Sequence, residues 1–266
     1  MPTLVVTNHP RVWRKLRLSY SSAFKNLAVE EAMARAFSTG TQTKPSIRIW
    51  INPKAVVVGR FQEVANEVDL IQCELNQCQV ARRFTGGGTV FHDDGTLNFS
   101  IVTGRADGST LDFLESNTRV TLDSLAALGI TGTMNPPNSI LAEGHKVCGA
   151  ASAVGRNFTL WHCSILVNTN LQLLELILAP SKTTTSRYVR SRWQPVTTLS
   201  KLLSKPLSID EVAQAIEQSV ERHFGIELEE GGISVEEGRL TEALFREKYM
   251  SDLWNLKANR GFPPVD

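Results

Sequence analysis

The sequence predicts an α+β fold, with a mixed or antiparallel central sheet flanked by helices. Three observations carry this. Segments alternating polar and apolar residues concentrate in the middle of the chain, and segments of helical period stand at intervals between them. The two kinds lack the regular strand–helix–strand alternation that builds a doubly wound parallel sheet.

In chain order, Leu4-Val5-Val6-Thr7 reads as a first edge strand. A helix follows around Asn26 to Met33, where Leu27, Ala34 and Phe37 share one face. Ser46 to Trp50 alternates as a strand, and Asn52-Pro53 turns it into the apolar run Ala55 to Val58. Leu97 to Val102 and Trp161 to Val167 alternate in the same way. Between them a helix starts at Ser109, with Asp112 as a capping partner, carries Leu111, Leu114, Leu122, Leu125 and Leu128, and stops at Gly129. The Thr and Arg clusters of Ala179 to Gln194 read as a long surface loop. A last helix opens on the Ser208-x-x-Glu211 box, runs through Ile209, Val212, Ile216 and Val220, and ends at Gly225. With no internal repeat or low-complexity tract, residues 1–266 read as a single domain.

Charge is balanced, 28 Lys+Arg against 27 Asp+Glu, so the overall field points to neither nucleic acid nor an anionic membrane. Cys73, Cys78, Cys148 and Cys163 form no CxxC pair and no zinc spacing, and read as reduced thiols. The N-terminal stretch is basic, with no acidic residue before Glu30, which partly fits a transit peptide; it has no apolar run of signal-peptide length. No segment approaches the roughly 20 apolar residues of a membrane span. A soluble cytoplasmic protein is the default expectation.

The densest chemical signal is Ala81-Arg82-Arg83-Phe84-Thr85-Gly86-Gly87-Gly88-Thr89-Val90-Phe91-His92-Asp93. Consecutive glycines bare backbone N–H groups to an anion, and two arginines can meet carboxylate or phosphate oxygens in a forked geometry. From the residues alone, the string is either an anion-binding loop or a glycine hairpin with solvated arginines. It is not a P-loop, since no Gly-Lys-Ser/Thr follows, nor a dinucleotide fingerprint, since Thr89-Val90-Phe91 continues as strand instead of opening a helix.

The string RRFTGGGTVFHDDGTLNFS resembles the signature of the lipoate–protein ligase family, part of the wider biotin and lipoate ligase fold with its class II synthetase-like catalytic domain. NLAVEEAM, RIWINPKAVVVGRFQ, GHKVCGAA, WHCSILVNTNL, VRSRWQPVTTL and LWNL resemble further landmarks of that family, in order along almost the whole chain. The arginine–glycine string is less similar to the biotin ligases.

The resemblance implies two half-reactions: lipoate and ATP form lipoyl-AMP, and the lipoyl group then passes to a lysine of an acceptor. It implies that Lys146, in a loop between Gly144 and Gly149, is the catalytic residue, contacting both the lipoyl carboxyl and the α-phosphate. Arg83, Gly88, Thr89, Val90 and Phe91 are implied on the ATP side with Lys146. Gly87, His92 and His162 join Lys146 on the lipoate side, although each histidine reads equally well as structural. Trp161, Val90 and Leu166 are candidate walls for the apolar tail, with plain core the alternative. Magnesium is implied on the phosphates.

Two departures stand out. The family's usual Asn-Asp upstream of the lysine is Asn138-Ser139-Ile140 here, which leaves Asn138 as the metal candidate. The chain also ends about a dozen residues past Trp254-Asn255, without the C-terminal accessory domain of typical bacterial ligases. That layout resembles the large subunit of the bipartite archaeal ligases and implies a separate accessory subunit. Implied acceptors are the lipoyl domains of 2-oxoacid dehydrogenase acyltransferases and the glycine-cleavage H protein. One rival is an octanoyl- or lipoyl-transferase using a cysteine thioester; Pro180-Ser181 stands where one type places that cysteine, leaving Cys148 and Cys163 as possible nucleophiles. Another is a non-catalytic lipoate or biotin binder, against which the intact Lys146, Arg83 and triple glycine argue.

Overall fold

The computed structural model describes residues 11–105, 110–178 and 189–257. The strands are β1 (Val12–Arg17), β2 (Ser46–Trp50), β3 (Ala55–Val58), β4 (Gln79–Arg82), β5 (Val90–His92), β6 (Thr96–Gly104), β7 (Gly132–Asn135), β8 (Ser139–Ala142), β9 (His145–Val154), β10 (Phe158–Leu166) and β11 (Glu227–Glu230). The α-helices are α1 (Ala23–Ser38), α2 (Leu70–Leu75), α3 (Thr110–Ala127), α4 (Leu171–Ile177), α5 (Leu199–Leu203), α6 (Ile209–Phe224), α7 (Val235–Leu244) and α8 (Asp252–Asn255). An eight-stranded mixed sheet runs β11-β1-β2-β6-β10-β9-β8-β7, and a three-stranded sheet runs β4-β3-β5. The α+β class read from the pattern order is the observed one.

Strand alternation sorts the large sheet into two faces. Ile47 and Ile49 of β2, Leu97, Phe99 and Ile101 of β6, and Trp161 and Ile165 of β10 join Val120 and Leu125 of α3 and Val212, Ile216 and Val220 of α6 in one core. The intervening residues face the other way. Trp50, Val102 and Leu160 pack there with Leu27 and Met33 of α1 and with the small sheet's Ala55, Val57 and Ala81. Arg48, Asn98, Ser100, His162 and Ser164 share this alternation, so a buried polar strip runs along that second face.

The predicted helices form, with boundaries explained by their caps. Ser208 and Glu211 make the reciprocal capping box of α6, and Gly225 closes it at φ +64°. Gly129, at φ +87°, follows α3; Ser109, Leu4 to Thr7 and Pro180-Ser181 lie outside the described residues. Trp161 is core on the α3/α6 face, so as a pocket wall it is corrected.

The C-terminal Trp254-Asn255 landmark has a physical role. Trp254 Nε1–H donates to Arg82 O at 2.7 Å, Arg82 Nε–H donates to Trp254 O at 2.8 Å, and Asn255 Oδ1 accepts from Arg82 N–H at 3.0 Å. Arg82 Nη1 further donates to Gly59 O and Gln62 O. Arg82 thus ties α8 to the start of the glycine loop, and is spent on structure rather than aimed at an anion.

Candidate active site

The glycine loop between β4 and β5 is folded from within by Arg83. Its Nη2 donates to Gly86 O at 2.6 Å and Gly88 O at 2.7 Å, its Nη1 to Val57 O, and its Nε to Thr85 Oγ1. Burial lowers its pKa to about 10, which leaves it charged at neutral pH. Gly87 sits at φ +89°, where L side chains are strained. A Cβ at Gly59 would lie 2.1 Å from Gly87 O, so the two backbones touch only because residue 59 is glycine. Arg83 borders the ligand space, but most of its N–H groups shape the loop, in contrast to the forked anion contact expected of it.

Thr85 continues this network across the polar strip. Its Oγ1 hydrogen-bonds His162 Nε2 at 2.9 Å, and His162 Nδ1–H donates to Glu30 Oε1 at 3.0 Å. Ser100 also donates to Glu30. Burial pushes the Glu30 carboxyl up, but His162, Ser100 and the Arg48 guanidinium outweigh it and hold its pKa low. His92 accepts at Nδ1 from Asn52 Nδ2 (2.9 Å) and donates from Nε2 to Ser164 Oγ (2.8 Å). Burial, with Arg83 nearby, lowers its pKa to about 3, so the ring is neutral. Both histidines line the ligand space, but their nitrogens are engaged internally, so they offer it ring surface.

Lys146 stands on strand β9, not in a loop as its glycine-flanked sequence suggested. Glu143 and Gly144, both at positive φ, form the β8–β9 hairpin turn. Leu141 pairs with Lys146 but Ile140 with Cys148, so Val147 is an extra residue, a β-bulge directly after the lysine. The bulge takes Lys146 out of the alternation that the rest of β9 follows. The side chain lies over Gly149, where a Cβ would stand 3.2 Å from Cε and 3.3 Å from Nζ. Its ammonium has no hydrogen bond or ion pair to a described residue; burial, and secondarily Arg83, lower its pKa.

Two cavities meet at this lysine. The first, of about 370 Å³, is bordered by Leu27, Glu30, Trp50, His92, Asn98 and His162, with Arg83, Gly87, Gly88, Val90 and Asn138. The second, of about 460 Å³, is bordered by Thr89, Val90, Phe91, Leu166, Leu174 and Val196. Lys146, Val90, Gly149, Ser164, Ser191, Arg192 and Gln194 border both. Asn138 Nδ2 is tied to Ala150 O at 2.8 Å, leaving its amide oxygen as the group a metal could use. No cluster of three His, Cys, Asp or Glu suited to a metal exists among the described residues. Ser139, where the family has its carboxylate, donates instead to Gln194 Oε1.

Sequence reasoning missed several residues here. Asn98 and Ser164 escaped because polar positions alternating with apolar ones usually mean a solvated strand face. Here they line a cavity, and the buried Asn98 Nδ2 has no hydrogen-bond partner among the described residues, while its Oδ1 accepts from Ser164. The described part of the expected surface loop, from Val189 onward, is irregular and exposed to half-buried as expected, but it has a further role. It crosses the site, because Ser191 and Gln194 find hydrogen-bond partners on the loop and on β8, and its Arg192 has no ion pair to a described residue.

Residues 22–221 match the model of the lipoyl protein ligase A/B catalytic domain. The chain belongs to this family. It is 32% identical over 242 residues to lipoate-protein ligase A subunit 1 of Thermoplasma acidophilum, covering 87% of this chain and 91% of that protein. It is 27% identical over 274 residues to the octanoyltransferase LipM of Brevibacillus brevis, covering 92% and 99%. Among solved structures, a bipartite lipoate protein ligase from T. acidophilum, studied with its E2 lipoyl domain, superposes with TM-score 0.84 at 30% identity, covering 95% and 99%. A T. acidophilum protein with bound lipoic acid gives 0.81 at 30%, covering 92% and 98%. A lipoate-protein ligase A bound with ATP gives 0.82 at 31%, covering 93% and 99%. The lipoyl ligase family thus has members of this layout holding each substrate, alongside members named as transferases.

Proposed function

We propose that this chain is the catalytic subunit of a lipoate–protein ligase, with the acyl acid in the first cavity and the nucleotide in the second. The observation that carries the reading is Lys146, a half-buried ammonium without a described counter-ion at the junction of two cavities. A cation so placed suits two anions that must approach each other. Gly87, His92 and His162, expected on the lipoate side, border the first cavity, and Thr89, Val90 and Phe91, expected on the ATP side, border the second, which supports this reading; Arg83 and Gly88, also expected on the ATP side, border the first instead.

In the first half-reaction, a lipoate carboxylate oxygen bonds to the α-phosphorus, the α–β phosphoanhydride bond breaks, and pyrophosphate leaves. Lys146 bridges the carboxylate and α-phosphate and offsets their repulsion. In the second, the deprotonated amine of an acceptor lysine bonds to the lipoyl carbonyl and AMP leaves. The walls from Leu27 to Val90 limit water at the mixed anhydride. Magnesium, when bound, would neutralise phosphate charge, with Asn138 Oδ1 as one protein ligand and phosphate and water oxygens supplying the rest.

The likeness to LipM keeps a cysteine-thioester transferase as second reading. Against it, burial and contact with Cys148 hold the Cys163 thiol well above the ordinary range, which disfavours a thiolate nucleophile. All described cysteines are free and buried. The likeness to a ligase subunit 1 supports a separate accessory subunit, and the E2 domain studied with a related ligase supports lipoyl domains as acceptors. The test is titration calorimetry with lipoic acid and ATP–Mg. Binding of both by the wild type, and loss of both in Lys146→Met, supports the ligase; binding of neither contradicts it.

A further inference from the structure

The segment from Val189 to Val196 is stapled at both ends. At one end Ser191 Oγ accepts from Thr89 N–H at 2.9 Å and from Gln62 Nε2 at 3.1 Å. Gly88 makes room for this: a Cβ there would stand 3.1 Å from Ser191 Oγ and 3.6 Å from its Cα. At the other end Lys146 N–H donates to Pro195 O at 2.7 Å, and Thr197 N–H to Lys146 O at 3.1 Å. The segment therefore joins the backbone of the glycine loop to the backbone of the lysine. Arg192 lies between the staples and borders both cavities.

What seats the first staple is Glu67. Its carboxylate is buried to 2% exposure, and a buried carboxylate is costly unless donors face it. Among the described residues its partners come from the crossing segment: Ser191 N–H donates to it at 3.1 Å, and the Arg190 guanidinium pairs with it at 3.9 Å. Gln62 supports the same point from below, its Oε1 accepting from Gly59 N–H and Thr89 Oγ1. Glu67 stands after the 3₁₀ turn Val64–Asn66, outside every motif that pointed to the site.

We propose that Glu67 is a positioning residue for nucleotide binding, holding residues 190–192 so that Arg192 faces the phosphates beside Lys146. This rests on the second cavity being the nucleotide site. Arg190, Ser191 and Arg192 border the first cavity as well, but the acid's apolar tail, proposed among Leu27, Trp50 and Val57, would draw its affinity from those apolar walls rather than from this staple. Losing Glu67 therefore weakens the nucleotide more than the acid.

Titration calorimetry of wild type, Glu67→Ala and Glu67→Gln with ATP–Mg and, separately, with lipoic acid tests this, alongside a melting curve without ligand. The expected result is ATP affinity down about tenfold in Glu67→Ala and lipoic acid changed less than about threefold, with Glu67→Gln recovering most of the loss because its amide oxygen still accepts from Ser191. Should Glu67→Ala fail to fold, Ser191→Ala removes the same staple from the other side and carries the same expectation. Unchanged ATP affinity, or equal losses for both ligands, overturns the positioning role while leaving the proposed function standing. A wild type that binds lipoic acid but no ATP overturns the nucleotide reading and this inference with it.

Discussion

Lys146 carries the proposed chemistry, and its environment makes that role testable by pH. Burial and Arg83 depress its pKa below the ordinary lysine value of 10.5. An anion binds the protonated form, so lipoic acid affinity falls as pH rises through this depressed pKa, earlier than a solvated lysine would allow. Calorimetric affinities from pH 7 to 10 check this; a flat profile would contradict it. His92 gives a stability prediction of the opposite sense. Its folded pKa of about 3 lies below the ordinary 6.5, so below pH 6.5 the unfolded chain takes up a proton that the folded chain refuses. Stability falls by up to roughly 1.4 kcal/mol per pH unit on that account. Urea unfolding at pH 7 and pH 5 measures it, and His92→Gln flattens the dependence. Lys146, His92, His162, Gly87 and Gly88, which the sequence singled out, border one cavity. The sequence did not reveal that Arg83 is consumed by the carbonyls of Gly86 and Gly88, because whether an arginine faces inward is decided by chain contacts distant in sequence.

Elements set how those residues point. The bulge at Val147 takes Lys146 out of the side-chain alternation of β9, and Gly149 leaves room for its ammonium. Gly149→Ala places a methyl 3.3 Å from Nζ, so lipoyl transfer falls at least about tenfold while the melting temperature stays near wild type. A melting temperature that falls together with activity would instead mark general damage. Far from the site, Ser208→Ala breaks the capping box of α6 and costs about 1 kcal/mol in urea unfolding, leaving lipoic acid affinity unchanged. The periodic apolar faces of α1, α3 and α6 were readable, and so were the alternating strands β2, β6 and β10, whereas β1, β9 and α7, despite its Ser234–Glu237 capping box, went unread. Short β7, β8 and β11 were not readable, because each is held by its partner strand rather than by its own pattern. That the surface loop from Val189 crosses the site was not readable for a related reason: Ser191 and Gln194 find their partners only when the glycine loop and β8 are brought beside them.

At the scale of the molecule, one sheet separates two tasks. Its α3/α6 face is a continuous apolar core, and its α1 face carries the polar strip on which the glycine loop, the small sheet and the crossing segment are assembled. Arg82, Trp254 and Asn255 tie the C-terminal helix into that assembly, and Glu31 does the same through Lys248 and Tyr249. No helix among the described residues is long and apolar enough to cross a membrane. Family membership fixes the fold and the general chemistry, while ligase and transferase relatives share it at similar identity. The deciding difference is the donor. Mass spectrometry of an apo lipoyl domain incubated with this chain and synthetic lipoyl-AMP tests the central claim most directly, with lipoate plus ATP and an acyl-carrier thioester in parallel. The account predicts a lipoyl mass gain from lipoyl-AMP that is lost in Lys146→Met, and none from the thioester. A gain from the thioester alone, abolished by replacing a cysteine, would contradict it.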